Sequence, residues 1–123
     1  KDSDGFNVPS NSGTPNVLTI GTLSANENML PEAFDLHQNY PNPFNPITTL
    51  GYDIPEESHV RIQVYDLSGN FVVSLLNDYM NPGFHSVQWD ATNHIGHAVS
   101  AGLYLYEIQA GDFSYVKKML LIK

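Results

Sequence analysis

The sequence contains no cysteine. That excludes disulfide frameworks, thiolate zinc centres and cysteine nucleophiles together. Basic residues are nearly as scarce: 5 Lys and Arg stand against 13 Asp and Glu, for a net charge of −8. Such a chain repels phosphate backbones, so no nucleic-acid partner is expected. No apolar run approaches the roughly 18 residues of a membrane span, and no membrane-spanning segment is expected. There is no initiator methionine and no recognisable signal peptide, so a chain opening Lys1-Asp2-Ser3-Asp4 reads as a fragment of something longer. Charged residues are only 15% of the total, which leaves much of the surface to Asn, Ser, Thr, Gln and Gly. Composition argues against a stand-alone enzyme.

What remains suits one domain: 123 residues can bury a core without covalent staples. Residues 1–33 are rich in Asn, Ser, Gly, Thr and Pro, with one short apolar stretch at Val17-Leu18-Thr19-Ile20. This composition reads as a linker carrying at most one short strand. From Phe34 onward the pattern changes to period two. Leu50, Tyr52 and Ile54 alternate with polar or small neighbours, as do Val60, Ile62 and Val64. Runs at Phe71–Leu76, around Val87 and Trp89, at Leu103–Gln109 and at Phe113–Ile122 continue it. Alternation of this kind places one face on a core and the other in water. Leu67-Ser68-Gly69-Asn70, Asn81-Pro82-Gly83 and Ala110-Gly111 sit where strands must reverse. No segment keeps helical periodicity over ten residues. Pro41, Pro43 and Pro46 bar residues 40–46 from a central strand. That segment reads as an extended cover over one end of the core, with Tyr40 and Phe44 as plugs. Counting a strand near Phe34–His37, about seven antiparallel strands result, an all-β, immunoglobulin-like sandwich.

Chemistry-bearing clusters are few. His94 and His97, with His85 and Asp90 nearby, lack a diagnostic ligand spacing and read as loop histidines. Asp2-Ser3-Asp4-Gly5 places its glycine two positions early for a calcium loop and has no closing Glu. Glu56-Glu57 lies on a turn without a pocket to tune its carboxylates. No metal, cofactor or catalytic residue is therefore expected. Trp89, Tyr104 and Tyr106 offer an aromatic platform for a sugar, but Trp89 shares parity with Val87 and reads as core. Charge is distributed unevenly. Lys117, Lys118 and Lys123 fall in the last seven residues, whereas residues 34–116 hold Arg61 against nine acidic residues. An acidic body with a basic C-terminal strand suits either a protected sheet edge or a strand offered to a partner.

Gln38-Asn39-Tyr40-Pro41-Asn42-Pro43-Phe44-Asn45-Pro46, Thr48–Pro55, Val64–Gly69, His85–Asp90, Ser100–Tyr104 and Lys117–Leu120 together resemble the type A sorting domain of the type IX secretion system. The likeness spans residues 34–123; the immunoglobulin-like domain of flagellar hook-capping proteins is a weaker match. The resemblance implies a C-terminal address label. Its partners would be the type IX translocon, a sortase-like protease and an upstream cargo domain of the same chain. The cargo would pass transiently through the periplasm to the outer-membrane surface, joined there to an anionic lipopolysaccharide, or to the medium. By the same resemblance, Gly102, Tyr104, Lys117, Lys118 and Lys123 fall on the recognition motifs. Pro41, Asn42, Pro43, Phe44, Asn45, Pro46 and Trp89 fall on the structural ones, and cleavage would lie in the linker before Phe34. The expected function is thus a non-catalytic secretion signal. The alternative from another class is an accessory carbohydrate-binding or spacer module of a secreted enzyme.

Overall fold

The computed structural model describes residues 29–123. Nearly all of the expected linker, with the Asp2–Gly5 and Val17–Ile20 readings, lies outside the described residues. The expected sandwich forms. Its strands are β1 (Asp35–Leu36), β2 (Thr48–Ile54), β3 (Ser58–Asp66), β4 (Phe71–Met80), β5 (Gly83–Trp89), β6 (Gly102–Ala110) and β7 (Phe113–Leu121). One sheet runs β1-β2-β5 and the other β4-β3-β6-β7, with every pair antiparallel.

Alternation sets the layers. Leu50, Tyr52 and Ile54 on β2 face Val60, Ile62 and Val64 on β3 and Tyr104, Tyr106 and Ile108 on β6, all buried. Removing one such aliphatic side chain from water stabilises the fold by about 1.5–3 kcal/mol. The β3–β4 hairpin turns through Gly69, whose φ of +88° suits a residue without Cβ. Asp66 holds that turn, accepting from the Asn70 and Ser68 amides and from Asn70 Nδ2. These bonds, the Asn70 amide foremost, hold its carboxyl below the usual range. Gly111, with φ +59°, closes the β6–β7 hairpin.

Two local readings need correction. β4 runs on through Asn77-Asp78-Tyr79 to Met80 rather than ending at Leu76, because Ser58–Arg61 of β3 supply its pairing partners. Phe44 is a plug, 1% exposed, but Tyr40 is not: it is 80% exposed. Tyr40 pairs its backbone with Thr49, and its neighbour Asn39 takes the inward position.

Candidate recognition surface around the C-terminal strand

The proline-rich segment and β7 form one unit. Phe44 enters the end of the core and meets Trp89, ring centroids 5.8 Å apart, while Tyr104 meets the same indole edge-on at 5.4 Å. Trp89 Nε1 donates to the Thr92 carbonyl at 2.8 Å. Behind this aromatic stack lies a buried polar knot. Asn39 Nδ2 donates to Pro41 O and Thr48 Oγ1, and Thr48 Oγ1 donates to Pro41 O. The Tyr106 hydroxyl donates to His37 O at 2.7 Å and accepts from the Asn39 amide at 2.8 Å. Burial pushes the Tyr106 phenol up to about 12.

Anchored there, the segment closes the outer edge of β7. Gln38 Nε2 donates to Lys118 O at 2.8 Å, and the Leu120 amide donates to Asn42 Oδ1 at 2.9 Å. The Phe44 amide donates to Leu120 O, and the Ile122 amide to Phe44 O. The outward backbone groups from the Lys118 carbonyl to the Ile122 amide thus have partners. Nothing comparable covers Ser114 and Val116 among the described residues. Pro43, Asn45 and Pro46 lie exposed along the strap.

The motif residues divide by role. Gly102 opens β6 with φ +146°, opposite Leu121. A Cβ there would meet no atom within 4 Å, so backbone conformation, not space, favours glycine. Tyr104 is buried, its hydroxyl donating to Ser100 O at 2.5 Å. Burial, and secondarily the Asp66 charge, raise its phenol. Lys117 and Lys118 do not share a face. Lys117 has the parity of buried Met119 and Leu121 and places its Nζ 5.2 Å over the Tyr115 ring. Lys118 projects from the opposite, outer face beside Leu105, and Lys123 follows the strand's end, exposed.

That outer face carries more than charge. Register pairs Leu103 with Leu120, Leu105 with Lys118, and Tyr65 with both Leu105 and Phe71. Leu103, Phe71, Val116 and Ile122 are exposed. The result is an apolar strip with Lys118 set in it, on a face that water ordinarily claims. Exposed and half-buried apolar side chains gathered on one outer face make this the candidate interaction surface of the domain. Sequence reading located the lysines but not the strip, although Leu103, Leu105, Leu120 and Ile122 alternate in plain view.

Other candidates fall apart. His85 Nε2 contacts Asn81 O, and His94 contacts Val72 O, so neither is aimed at a common centre. Glu56 and Glu57 stand exposed on the β2–β3 turn. Trp89, Tyr104 and Tyr106 are spent on the core. Exposed Tyr79 and Tyr115 lie on opposite edge strands of the larger sheet and form no row for a glycan.

Residues 38–123 match the family model described as "Secretion system C-terminal sorting domain". The chain belongs to this family. A sorting domain of this kind marks a secreted or cell-surface protein and serves as a signal in secretion. No curated protein matches the chain. Among solved structures, the sorting domain is similar to dimeric latent PorU from Porphyromonas gingivalis, with a TM-score of 0.61 and 23% identity over 77% of this chain. It is also similar to PorZ, described as an essential surface component of that bacterium's type-IX secretion system, with a TM-score of 0.49 and 17% identity over 75% of this chain. The aligned parts are 10% of PorU and 12% of PorZ, so the sorting domain spans about a tenth of those chains. The PorU likeness bears on the fold alone.

Proposed function

We propose that residues 34–123 are the folded C-terminal export signal of a larger cargo protein, read by the type IX translocon and acting by being bound. Residues 1–33 serve as the linker in which a sortase-like protease cuts before Phe34. The cargo passes through the periplasm to the outer-membrane surface or the medium. The observation that carries the reading of the site is the apolar strip Leu103-Leu105-Leu120-Ile122 with Lys118 in it, beside the half of β7 whose edge is already closed. A partner strand adding at 118–122 would have to displace four hydrogen bonds. A partner laid on the outer face displaces only water and gains apolar contact, with Lys118 and Lys123 favouring acidic groups on its side. Gly102 and Tyr104 act indirectly, by fixing the β6 backbone beneath that strip. Lys117 lies on the other face and contributes charge without direct contact.

The test is export of a reporter fused ahead of residues 1–123 in a host carrying the type IX system. Deleting Lys117–Lys123 would be a poor variant, because Met119 and Leu121 are each 1% exposed and their loss unfolds the core. Leu120→Glu and Lys118→Glu keep the core intact. Folding of each is checked by circular dichroism. Retention of both folded variants in the periplasm, with surface delivery of the parent, is the expected result. Undiminished delivery of folded Leu120→Glu would overturn the outer-face reading.

A further inference from the structure

On the opposite sheet, Asp35, His37 and Asp53 bring three donor atoms within 4.8 Å of one another. His37 Nε2 lies 2.8 Å from Asp53 Oδ1, and His37 Nδ1 lies 3.9 Å from Asp35 Oδ2. The strand period puts Asp35 and His37 on one face, and the β1–β2 register sets Asp35 directly across from Asp53. Two carboxylates opposed across a strand pair repel each other and weaken the pairing. Among the described residues, no lysine or arginine lies in ion-pair contact with either one. The Asp53 side chain is only 14% exposed, so water screens it poorly.

The third donor is held in place by the backbone beneath it. The His37 ring lies over Gly51, where a Cβ would come within 3.2 Å of its Cδ2. Glycine at 51 lets the imidazole lie flat on the sheet and reach Asp53. The His37 amide donates to Gly51 O at 2.9 Å, pinning the same residue from the backbone side.

We propose that Asp35, His37 and Asp53 form a binding site for a divalent transition ion, of the zinc or manganese class. An imidazole nitrogen with two carboxylates is a donor set for such ions, whereas calcium takes six to eight oxygens. Bonds of about 2.0–2.2 Å to each donor are compatible with this spacing after small side-chain rotations. The ion takes the position of the proton between His37 and Asp53, Asp35 closes a third side, and the open side is left to water. Binding offsets the opposed carboxylates and fastens β1 to β2 where the chain enters the strap. The carbonyl of His37 already accepts from Tyr106, and Gln38 follows it. The ion therefore reinforces the strap that closes β7, whatever reads the outer face.

The full chain, freed of metal, is titrated with Zn2+ by calorimetry and with Mn2+ by 1H–15N NMR. The expected results are one saturable site and paramagnetic broadening strongest at residues 35–37 and 51–53, fading with distance from them through the paired β5 residues 84–86. Asp53→Asn should weaken Zn2+ binding at least tenfold. Asp35→Asn, at a side chain 56% exposed and so safe for folding, should weaken it as well. Gly51→Ala should do so about tenfold by lifting the imidazole, an indirect effect of the usual size for groups that orient a ligand. No saturable binding, equal affinity in folded Asp35→Asn, or broadening centred on His94 and His97 would each overturn the proposal.

Discussion

The two halves of β7 are one strand in one sheet, yet they face different surroundings. From the Lys118 carbonyl to Leu121, and on to Ile122 just past the strand's end, the outer edge is bonded to the Gln38–Phe44 strap, and the side chains alternate between core and apolar strip. From Phe113 to Lys117 the strand carries Ser114 and Val116 with an open edge, and the inward-parity Tyr115 is 48% exposed. The open half fits the ordinary behaviour of an edge strand, short and flanked by lysine. The closed half shows a second solution, in which a proline-rich segment fills the edge without forming a regular strand. Proline lacks the amide a ladder would need, so the strap bonds through Phe44, the Gln38 and Asn42 side chains and little else. Closing the edge leaves the outer face as the part of this half that a partner can reach.

The sharpest way to break this contrast is to remove the plug. Phe44→Ala should cost about 3–5 kcal/mol, seen as a lower urea midpoint, because the ring is buried against Trp89 and the strap cannot collapse into the space. Next in size is Asn39→Ala, which deletes the centre of the polar knot. It should cost about 1–3 kcal/mol, since the buried partners at Thr48 and Pro41 lose a donor. Both changes should loosen the closed half of β7 and leave the β6–β7 hairpin at Gly111 paired. A variant that unfolds both halves equally would show that the strap supports the whole strand.

The contrast was only partly legible in the sequence. Alternation in 50–54 and 60–64 marked buried faces that the fold bears out, because a core-facing β residue leaves a period of two whatever its partner. Phe44 as a plug and Trp89 as core were readable for similar reasons. The exposure of Tyr40 was not, since it depends on Asn39 finding Thr48 and the Tyr106 hydroxyl, contacts between residues far apart in sequence. The polar end of β4 was hidden because its partners on β3, not its own side chains, hold it extended. Lys117 and Lys118 invite reading as one basic patch, yet adjacent residues on a strand point to opposite faces. That rule alone separates them. Asp35-x-His37 carried a signal of the same kind, two donors on one face, but its third member, Asp53, lies on a different strand and comes into place only through the β1–β2 register.

Alkaline pH tests the knot without a mutation. The Tyr106 phenol is raised from its ordinary value near 10 to about 12 by burial. The unfolded chain therefore loses this proton at lower pH than the folded one. Stability from the buried, neutral phenol is fully present below pH ~10 and is lost as pH rises towards about 12. Urea midpoints of the parent should fall across that window. Tyr106→Phe should start lower, having lost its bonds to His37 and Asn39, and should decline less steeply there.

The smallest effect is the most local. Asn42→Ala removes the side-chain oxygen that accepts from the Leu120 amide and leaves Phe44, with its own two backbone bonds to the strand, in place. The freed amide lies at an exposed position and can turn to water, so the global cost should be about 0.5–1 kcal/mol. Hydrogen exchange separates this from general loosening. In the parent, the Leu120 amide should exchange slowly and the Val116 amide, which faces the same way with no protein partner among the described residues, should exchange fast. In Asn42→Ala, Leu120 should speed up by about fivefold, the equivalent of about 1 kcal/mol, whereas Ile122, bonded to Phe44 O, should not change. If Leu120 kept its protection, the Asn42 side chain would not be closing the edge, and the distinction between the two halves of β7 would rest on Phe44 alone.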